Sequence, residues 1–216
     1  MALTKADVEM WDKLAAIDAI PANPAILEIG EANWFGDVAP APEDYSPNLF
    51  EVAKKYYARI FKPREQVAID FRGPTSLKLD LNHPISIEGD EPGTRKLFDL
   101  IINTGTLEHV FNQGQAFKTV HEHCAVNGVM MHAVPWTGWV NHGFFCYQPC
   151  FFHDLAGANG YEILHSMEWR AGMQKTGELE VTDNVMLYVA LRKLKDLPFQ
   201  YPIQSGRNGG PLPEAG

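Results

Sequence analysis

The stretch Ala25-Ile26-Leu27-Glu28-Ile29-Gly30 decides the fold. It is a short, almost unbroken apolar run that ends in a glycine. A run of this length without polar alternation reads as a strand buried on both faces. Outward from it, Gln66 to Phe71 reads as a second strand closing on Asp70, and Leu77 to Leu81 as a third with Asp80 near its end. Leu97 to Asn103 is a strong fourth, and Gly128 to Val134 a fifth, stopped by Pro135. Helical spacing separates them. Leu49 to Phe61 repeats apolar residues at helical intervals, Gln113 to Cys124 reads as helix, and Phe151 to Ala158 reads as helix with Asn159-Gly160 as its stop. Two late strands, Tyr161 to Trp169 and Asn184 to Arg192, have no long helix between them and form an antiparallel hairpin at one edge. Strands alternating with helices predict an α/β fold built on a parallel sheet.

Residues 4–16 read as an amphipathic helix. Thr4 and Asp7 give a capping signal, and Val8, Trp11, Leu14 and Ala15 share a face. This helix packs on the body or acts as a lid over a site. The domain reading is one unit over 1–195, its first 20 residues carrying the N-terminal helix. Residues 196–216 are a Pro/Gly-rich tail expected to fray.

Composition sets the outer limits. The chain has 216 residues, 45% of them hydrophobic and 21% charged, which excludes disorder throughout and gives enough material for a full core. No apolar run approaches the roughly 18–20 residues of a membrane helix. With 18 basic residues against 27 acidic ones, the net charge of −9 disfavours nucleic acid as a partner. Three cysteines, Cys124, Cys146 and Cys150, are too few and odd in number for a disulfide framework. The first residues lack the apolar core of a signal peptide, so a cytoplasmic location is expected. Self-association is left open.

In an open parallel sheet, ligands gather at the carboxyl ends of the strands. Those ends carry Glu28 and Gly30, Asp70, Asp80 with Leu81, and Asn103 with Thr104 and Gly105. Glycine allows close approach of a ligand to the backbone. A carboxylate after the second strand suits a ribose diol, and one after the third reaches an adenine edge. The set reads as a site for an adenosine-containing cofactor.

Ile26-Leu27-Glu28-Ile29-Gly30 resembles motif I of the class I S-adenosylmethionine-dependent methyltransferases. Asp70 and the pair Asp80-Leu81 stand where that family has its ribose-side and adenine-side residues. Phe98 to Asn103, continuing through Thr106-Leu107-Glu108-His109-Val110, resembles the family's fourth-strand motif. Ala125-Val126-Asn127-Gly128 is similar to the turn before its fifth strand, and Ala158 to Ile163 to the approach to its sixth. The resemblance covers roughly residues 25–193. It implies a Rossmann-like seven-stranded, mostly parallel sheet with helices on both faces and an antiparallel last strand. It also implies S-adenosyl-L-methionine as cofactor, held by Glu28, Gly30, Asp70, Asp80, Leu81, Asn103, Thr104 and Gly105. The glycine loop departs from the family: it reads Glu28-Ile-Gly30-Glu-Ala32-Asn-Trp34, so Trp34 stands at a glycine place. That points to a reshaped loop in which Gly36 takes over a turn.

The implied activity is methyl transfer to an oxygen or nitrogen of a small molecule. His109, after the fourth strand, and His142, in the loop after the fifth, are the candidate catalytic residues, histidine being the natural base near neutral pH. Trp136, Trp139, Phe144 and Phe145 are candidates for lining the acceptor pocket. Two alternatives stand beside this reading: a catalytically inactive methyltransferase-like interaction subunit, and a nicotinamide-dependent oxidoreductase. The latter lacks its G-x-G-x-x-G phosphate cradle. No metal ligand is assigned. In His121-Glu122-His123-Cys124, the two histidines point to different helix faces, and Cys146 and Cys150 have no second ligand pair.

Overall fold

The computed structural model describes residues 2–172, 175–176, 179–180 and 183–205. Six strands form the main sheet: β1 (Ala25–Ile29), β2 (Glu65–Ile69), β3 (Phe98–Thr104), β4 (Cys124–Thr137), β5 (Tyr161–Gly172) and β6 (Asn184–Lys193). Their spatial order is β2-β1-β3-β4-β6-β5. The first four run parallel, and β6 lies antiparallel between β4 and β5. Four helices, α1 (Lys5–Ala16), α2 (Leu49–Phe61), α3 (Gln113–His123) and α4 (Pro149–Asn159), complete the fold. Among the described residues no helix is long and apolar enough to cross a membrane.

The unbroken strand runs arise because neighbouring residues serve two separate cores. Ile26, Leu100, Ile102, Val129 and Met131 pack with Met10, Trp11 and Tyr57 of α1 and α2. Leu27, Ile29, Ile101 and Met130 pack with Phe117, Phe152 and Leu155 of α3 and α4. Successive side chains alternate between the faces, so a strand covered twice has few positions for a polar residue.

Local chemistry sets the helix ends. Both the Thr4 amide and its hydroxyl reach Asp7 Oδ2, at 2.8 and 2.7 Å. On α1 the buried set is Ala6, Asp7, Met10, Trp11 and Leu14; Ala15 is exposed, contrary to its expected place on the packed face. Asn48 caps α2 through Phe50 N–H, and left-handed Lys62 ends it. Gly160, at φ 64°, terminates α4. At the far end of α3, the buried Lys193 ammonium donates to His121 O and Cys124 O, both at 3.1 Å, and satisfies the helix's last carbonyls.

Three strand expectations are corrected. The sheet has six strands rather than seven. Leu77 makes a single parallel bridge with Ile69, through bonds Leu77 N to Ala68 O and Asp70 N to Leu77 O. Leu79 N then donates back to Leu77 O, and this three-residue turn carries the chain off the sheet edge. Nor does Pro135 stop β4, which runs on to Thr137. Its ring lies on the β3 side just past the last β3 partner, Ala133, where no ladder donor is needed. The expected fraying does not begin at 196: His121 Nε2–H donates to Leu197 O, Asn159 exchanges two bonds with Gln200, and Phe199 packs on the core. Residues 206–216 lie outside those described, as do half of those between Arg170 and Asp183.

Trp34 also departs from its expected place in the ligand loop. Asn33–Trp34 pairs in parallel with Ala2–Leu3, and the indole is buried against Tyr56 with its N–H on Val38 O. Gly36 sits in a turn without the left-handed conformation that would demand glycine.

His132 on β4 is buried, and burial drives its imidazole down to about 3. Asn103 Nδ2 faces its Nδ1 at 3.3 Å, which places the neutral ring's proton on Nε2. The unfolded chain binds a proton between pH 6.5 and about 3 that the folded chain refuses. The stability contribution is therefore present above 6.5 and lost as pH falls. From pH 7.5 to 5.0 this histidine removes about 2 kcal/mol. Asp7 and Glu28, raised by burial to about 6 and about 7, work the opposite way in the same range. The readout is therefore a difference: in urea denaturation, His132→Leu loses less stability than wild type between those two pH values. It also starts about 1 kcal/mol lower, because Asn103 loses its acceptor.

Candidate functional site

The carboxyl edge of the sheet is drawn together by backbone bonds. Gly30, at φ +91°, donates its N–H to Ile69 O at 2.7 Å; Gly105, at φ +74°, donates to Ala133 O at 2.9 Å. These left-handed turns lie at the tips of β1 and β3. They meet through Thr106, whose Oγ1 would lie 2.1 Å from a Cβ on Gly30.

Asp70, just past β2, accepts from the N–H groups of Glu31, Arg72 and Gly73. Burial works to raise its pKa, but the three donors outweigh it and hold the carboxyl below its ordinary value. Glu31 reaches across to Thr75, accepting from its N–H at 3.0 Å and its hydroxyl at 2.6 Å. The loop after β1 is thus strapped to the loop after β2. Glu28 lies beneath: its carboxylate accepts from Gln66 Nε2 and Ala32 N–H, and burial pushes it up to about 7. A cavity of about 220 Å³ opens beside these tips, lined by Glu28, Glu31, Gln66, Thr75, Phe50 and Lys54 among others.

Asp80 lies on a segment tethered to both neighbours. Leu77 bridges to β2, and Asn82 accepts two bonds from Asn112 at the start of α3. Its Oδ1 accepts from Asn82, which lowers its pKa, and its Oδ2 lies 3.7 Å from His83. Leu81 is buried in the core beneath. Asn103 is turned inward: its amide nitrogen meets His132 and its oxygen accepts from Leu107 N–H. Buried Thr104 approaches Asp7 of α1.

The two candidate histidines converge. After Gly105 the chain makes a short 3-10 turn, Leu107–His109, pinned by Asn103 and by Gln113 Nε2 on Leu107 O. The loop after β4 closes onto this turn. Gly138, Trp139 and Asn141 adopt left-handed backbone, and Asn184 Oδ1 and Val185 O hold Trp139 through its amide and its indole N–H. Phe144 and Phe145 then donate to Glu108 O at 2.8 and 3.3 Å. The His109 and His142 rings end 5.0 Å apart, with Trp139 4.9 Å from His142.

Glu108 is the residue that the sequence reading passed over. It is fully buried between the histidines, its Oε1 3.6 Å from His142 Nε2 and 3.9 Å from His109 Nε2. The available signal was its place beside His109 in the motif after β3. Of the expected pocket aromatics, Trp139 and Phe144 flank this cluster, and Phe144 makes an edge contact with Phe111. Both phenylalanines are exposed. Trp136 and Phe145 instead pack against the core on the α3 and α4 face. His121 and His123 are structural, each buried with both ring nitrogens engaged.

No protein-family model matches this sequence, and no curated protein matches it. Solved structures do match in fold. TehB from Haemophilus influenzae superposes with a TM-score of 0.55 at 13% identity, over 85% of this chain; the chain spans 62% of TehB. The N-methyltransferase NodS from Bradyrhizobium japonicum gives 0.51 at 14%, over 89% of this chain and 100% of NodS. The O-MT segment of StiE gives 0.51 at 10%, over 87% and 74%. The fold is that of the class I methyltransferases, with six strands in the sheet.

Gly143 lets the loop close. A Cβ there would meet Glu108 Cγ at 2.9 Å and Glu108 O at 3.0 Å. Because one of these is a backbone atom, the loop must move. Gly143→Ala is expected to cost about 1–3 kcal/mol in urea denaturation and to separate the two imidazoles in a crystal structure.

Proposed function

Taking the class I methyltransferase fold as premise, we propose that this chain transfers a methyl group from S-adenosylmethionine to an oxygen or nitrogen of a small molecule. The observation that carries the reading is the character of the strand tips. Carboxylates gather there, and the N–H groups of Gly30 and Gly105 are already spent on Ile69 and Ala133. The first α-helix after β1 starts only at Leu49. A dinucleotide needs free backbone donors at a helix N-terminus for its pyrophosphate, and this edge spends those donors elsewhere. A sulfonium nucleoside carries positive charge and no phosphate, and an acidic edge favours it.

The donor set fits such a group. Asp70 has used three of its roughly four acceptor positions, leaving room for one ribose hydroxyl. Asp80 keeps Oδ2 for a donor on the base, with Leu81 as an apolar floor. Gly30 makes room for Thr106 rather than for a ligand. Glu28 acts by holding the loop, both of its oxygens being engaged. The cavity is smaller than the roughly 300–1,000 Å³ that encloses a cofactor-sized ligand, so a nucleoside would lie partly along the open tips. The cofactor supplies an electrophilic methyl carbon; the chain's task is to hold the acceptor in line with it and exclude water. The cluster of Glu108, His109 and His142, walled by Trp139, Phe111 and Phe144, suits an acceptor with a flat or apolar body.

S-adenosylhomocysteine at 1 mM should raise the melting temperature by several degrees, the effect of about 2.7 kcal/mol when ligand stands at 100 times its Kd. Asp80→Ala should weaken calorimetric binding about tenfold or more while leaving the circular dichroism spectrum unchanged. No shift with S-adenosylhomocysteine or S-adenosylmethionine, or a shift with NAD alone, overturns the reading.

A further inference from the structure

Glu108 is the most poorly compensated group in the site. Its side chain has 0% exposure, and neither carboxylate oxygen has a hydrogen-bond partner among the described residues. A buried carboxylate is costly unless a cation or several donors meet it. The groups facing Oε1 are the Nε2 atoms of His142 and His109, at 3.6 and 3.9 Å, too far for a hydrogen bond. The ligand-capable atoms of all three residues lie within 4.8 Å of one another. The His109 and His142 imidazoles are 47% and 36% exposed, so they can turn, whereas Glu108 is fixed by Phe144 N–H on its carbonyl and by Gly143 against its side chain.

We propose that Glu108, His109 and His142 bind one divalent cation of the zinc class, with Glu108 at the closed end and the remaining coordination positions open beneath the Phe111–Phe144 lip. Two imidazoles and one carboxylate form a nitrogen-rich set that suits zinc and its neighbours; magnesium and calcium prefer oxygen throughout. Metal–ligand bonds of about 2.0–2.2 Å put tetrahedral donor atoms about 3.4 Å apart. The two histidine nitrogens already lie 3.6 and 3.9 Å from the Glu108 oxygen, close to that value. Three protein ligands and an open position is the arrangement of a catalytic rather than a structural site. If the methyl-transfer reading of the preceding subsection holds, a hydroxyl or amine acceptor coordinates this cation. Only the hydroxyl case is productive, because a coordinated amine has no lone pair left: coordination lowers the hydroxyl pKa, its proton leaves to solvent, and the oxygen forms a bond to the methyl carbon as the carbon–sulfur bond breaks and its electron pair returns to sulfur.

The test is calorimetric titration of chelator-treated full-length protein with zinc chloride. A Cys146→Ser, Cys150→Ser background removes thiol sites. One saturable site per chain is expected, weakened about 100-fold or more by His109→Ala or His142→Ala. Cobalt(II) should give the visible absorption of a four- or five-coordinate site and lose it in the same variants. Glu108→Gln should do likewise if it folds; the two histidine variants carry the test if it does not. Absence of saturable zinc binding in the Cys146→Ser, Cys150→Ser background, which keeps only the buried Cys124, or binding that survives both histidine substitutions, overturns the proposal. The S-adenosylhomocysteine shift is measured separately, so a lost zinc site and a lost cofactor site are distinguishable failures.

Discussion

The sheet is covered on both faces, and the rest of the structure follows from that constraint. A polar side chain on a central strand must find a partner inside or emerge at the carboxyl edge. Asn103 and His132 take the first course, satisfying each other between β3 and β4. Glu28, Asp70 and the residues after Gly105 take the second. Once carboxylates are gathered at the edge, backbone N–H groups are the donors at hand, and their use shapes the loops. Asp70 draws in Glu31, Arg72 and Gly73, so the chain leaving β1 cannot turn at once into a helix. It runs instead to pair Asn33–Trp34 with Ala2–Leu3 and reaches α2 only at Leu49.

The same constraint explains which parts of the fold were legible in the sequence. Double burial leaves continuous apolar runs, and β1, β2, β3 and β4 are readable from them to within a few residues. Gly160 marked the end of α4 through its left-handed backbone. The missing third strand was illegible because Leu77, Leu79 and Leu81 alternate identically in a strand and in an extended loop. What separates the two is the bond from Leu79 N–H back to Leu77 O, made by the backbone and invisible in side-chain identity. Pro135 misled for a related reason: a proline interrupts a strand only on a side that needs its donor.

The site was legible by position but not by direction. Among the residues expected at the strand tips and in the loops beyond them, Asn103 lies within β3 and turns inward, and Trp136 and Phe145 join the core. Glu108 escaped notice because nothing local marks a glutamate as buried. Its burial is imposed by Gly143, a residue 35 positions later that allows the loop to press on it. The reshaped loop after Gly30 was visible in Trp34, but its cause lay in the pairing with the N-terminal residues.

The two pairs of histidines differ in how their ring nitrogens are engaged. His121 and His123 are buried, and each ring nitrogen has a fixed partner: Tyr161 and Leu197 for the first, Thr119 and Ile87 for the second. Such rings are locked as neutral structural groups, and burial lowers the pKa of both. His109 and His142 face a carboxylate at distances that no hydrogen bond spans. Folded proteins satisfy buried polar groups almost everywhere, and a fully buried acid left open costs stability that a structural role does not return. Departures from local consistency of this kind concentrate where a ligand completes the structure. The carboxylates at the tips of β1 and β2 are already closed by backbone donors and fit a ligand that brings its own hydroxyl groups. The acid beyond β3 has no hydrogen-bond partner among the described residues, and it is this open carboxylate, rather than the closed ones, on which the proposed cation site rests.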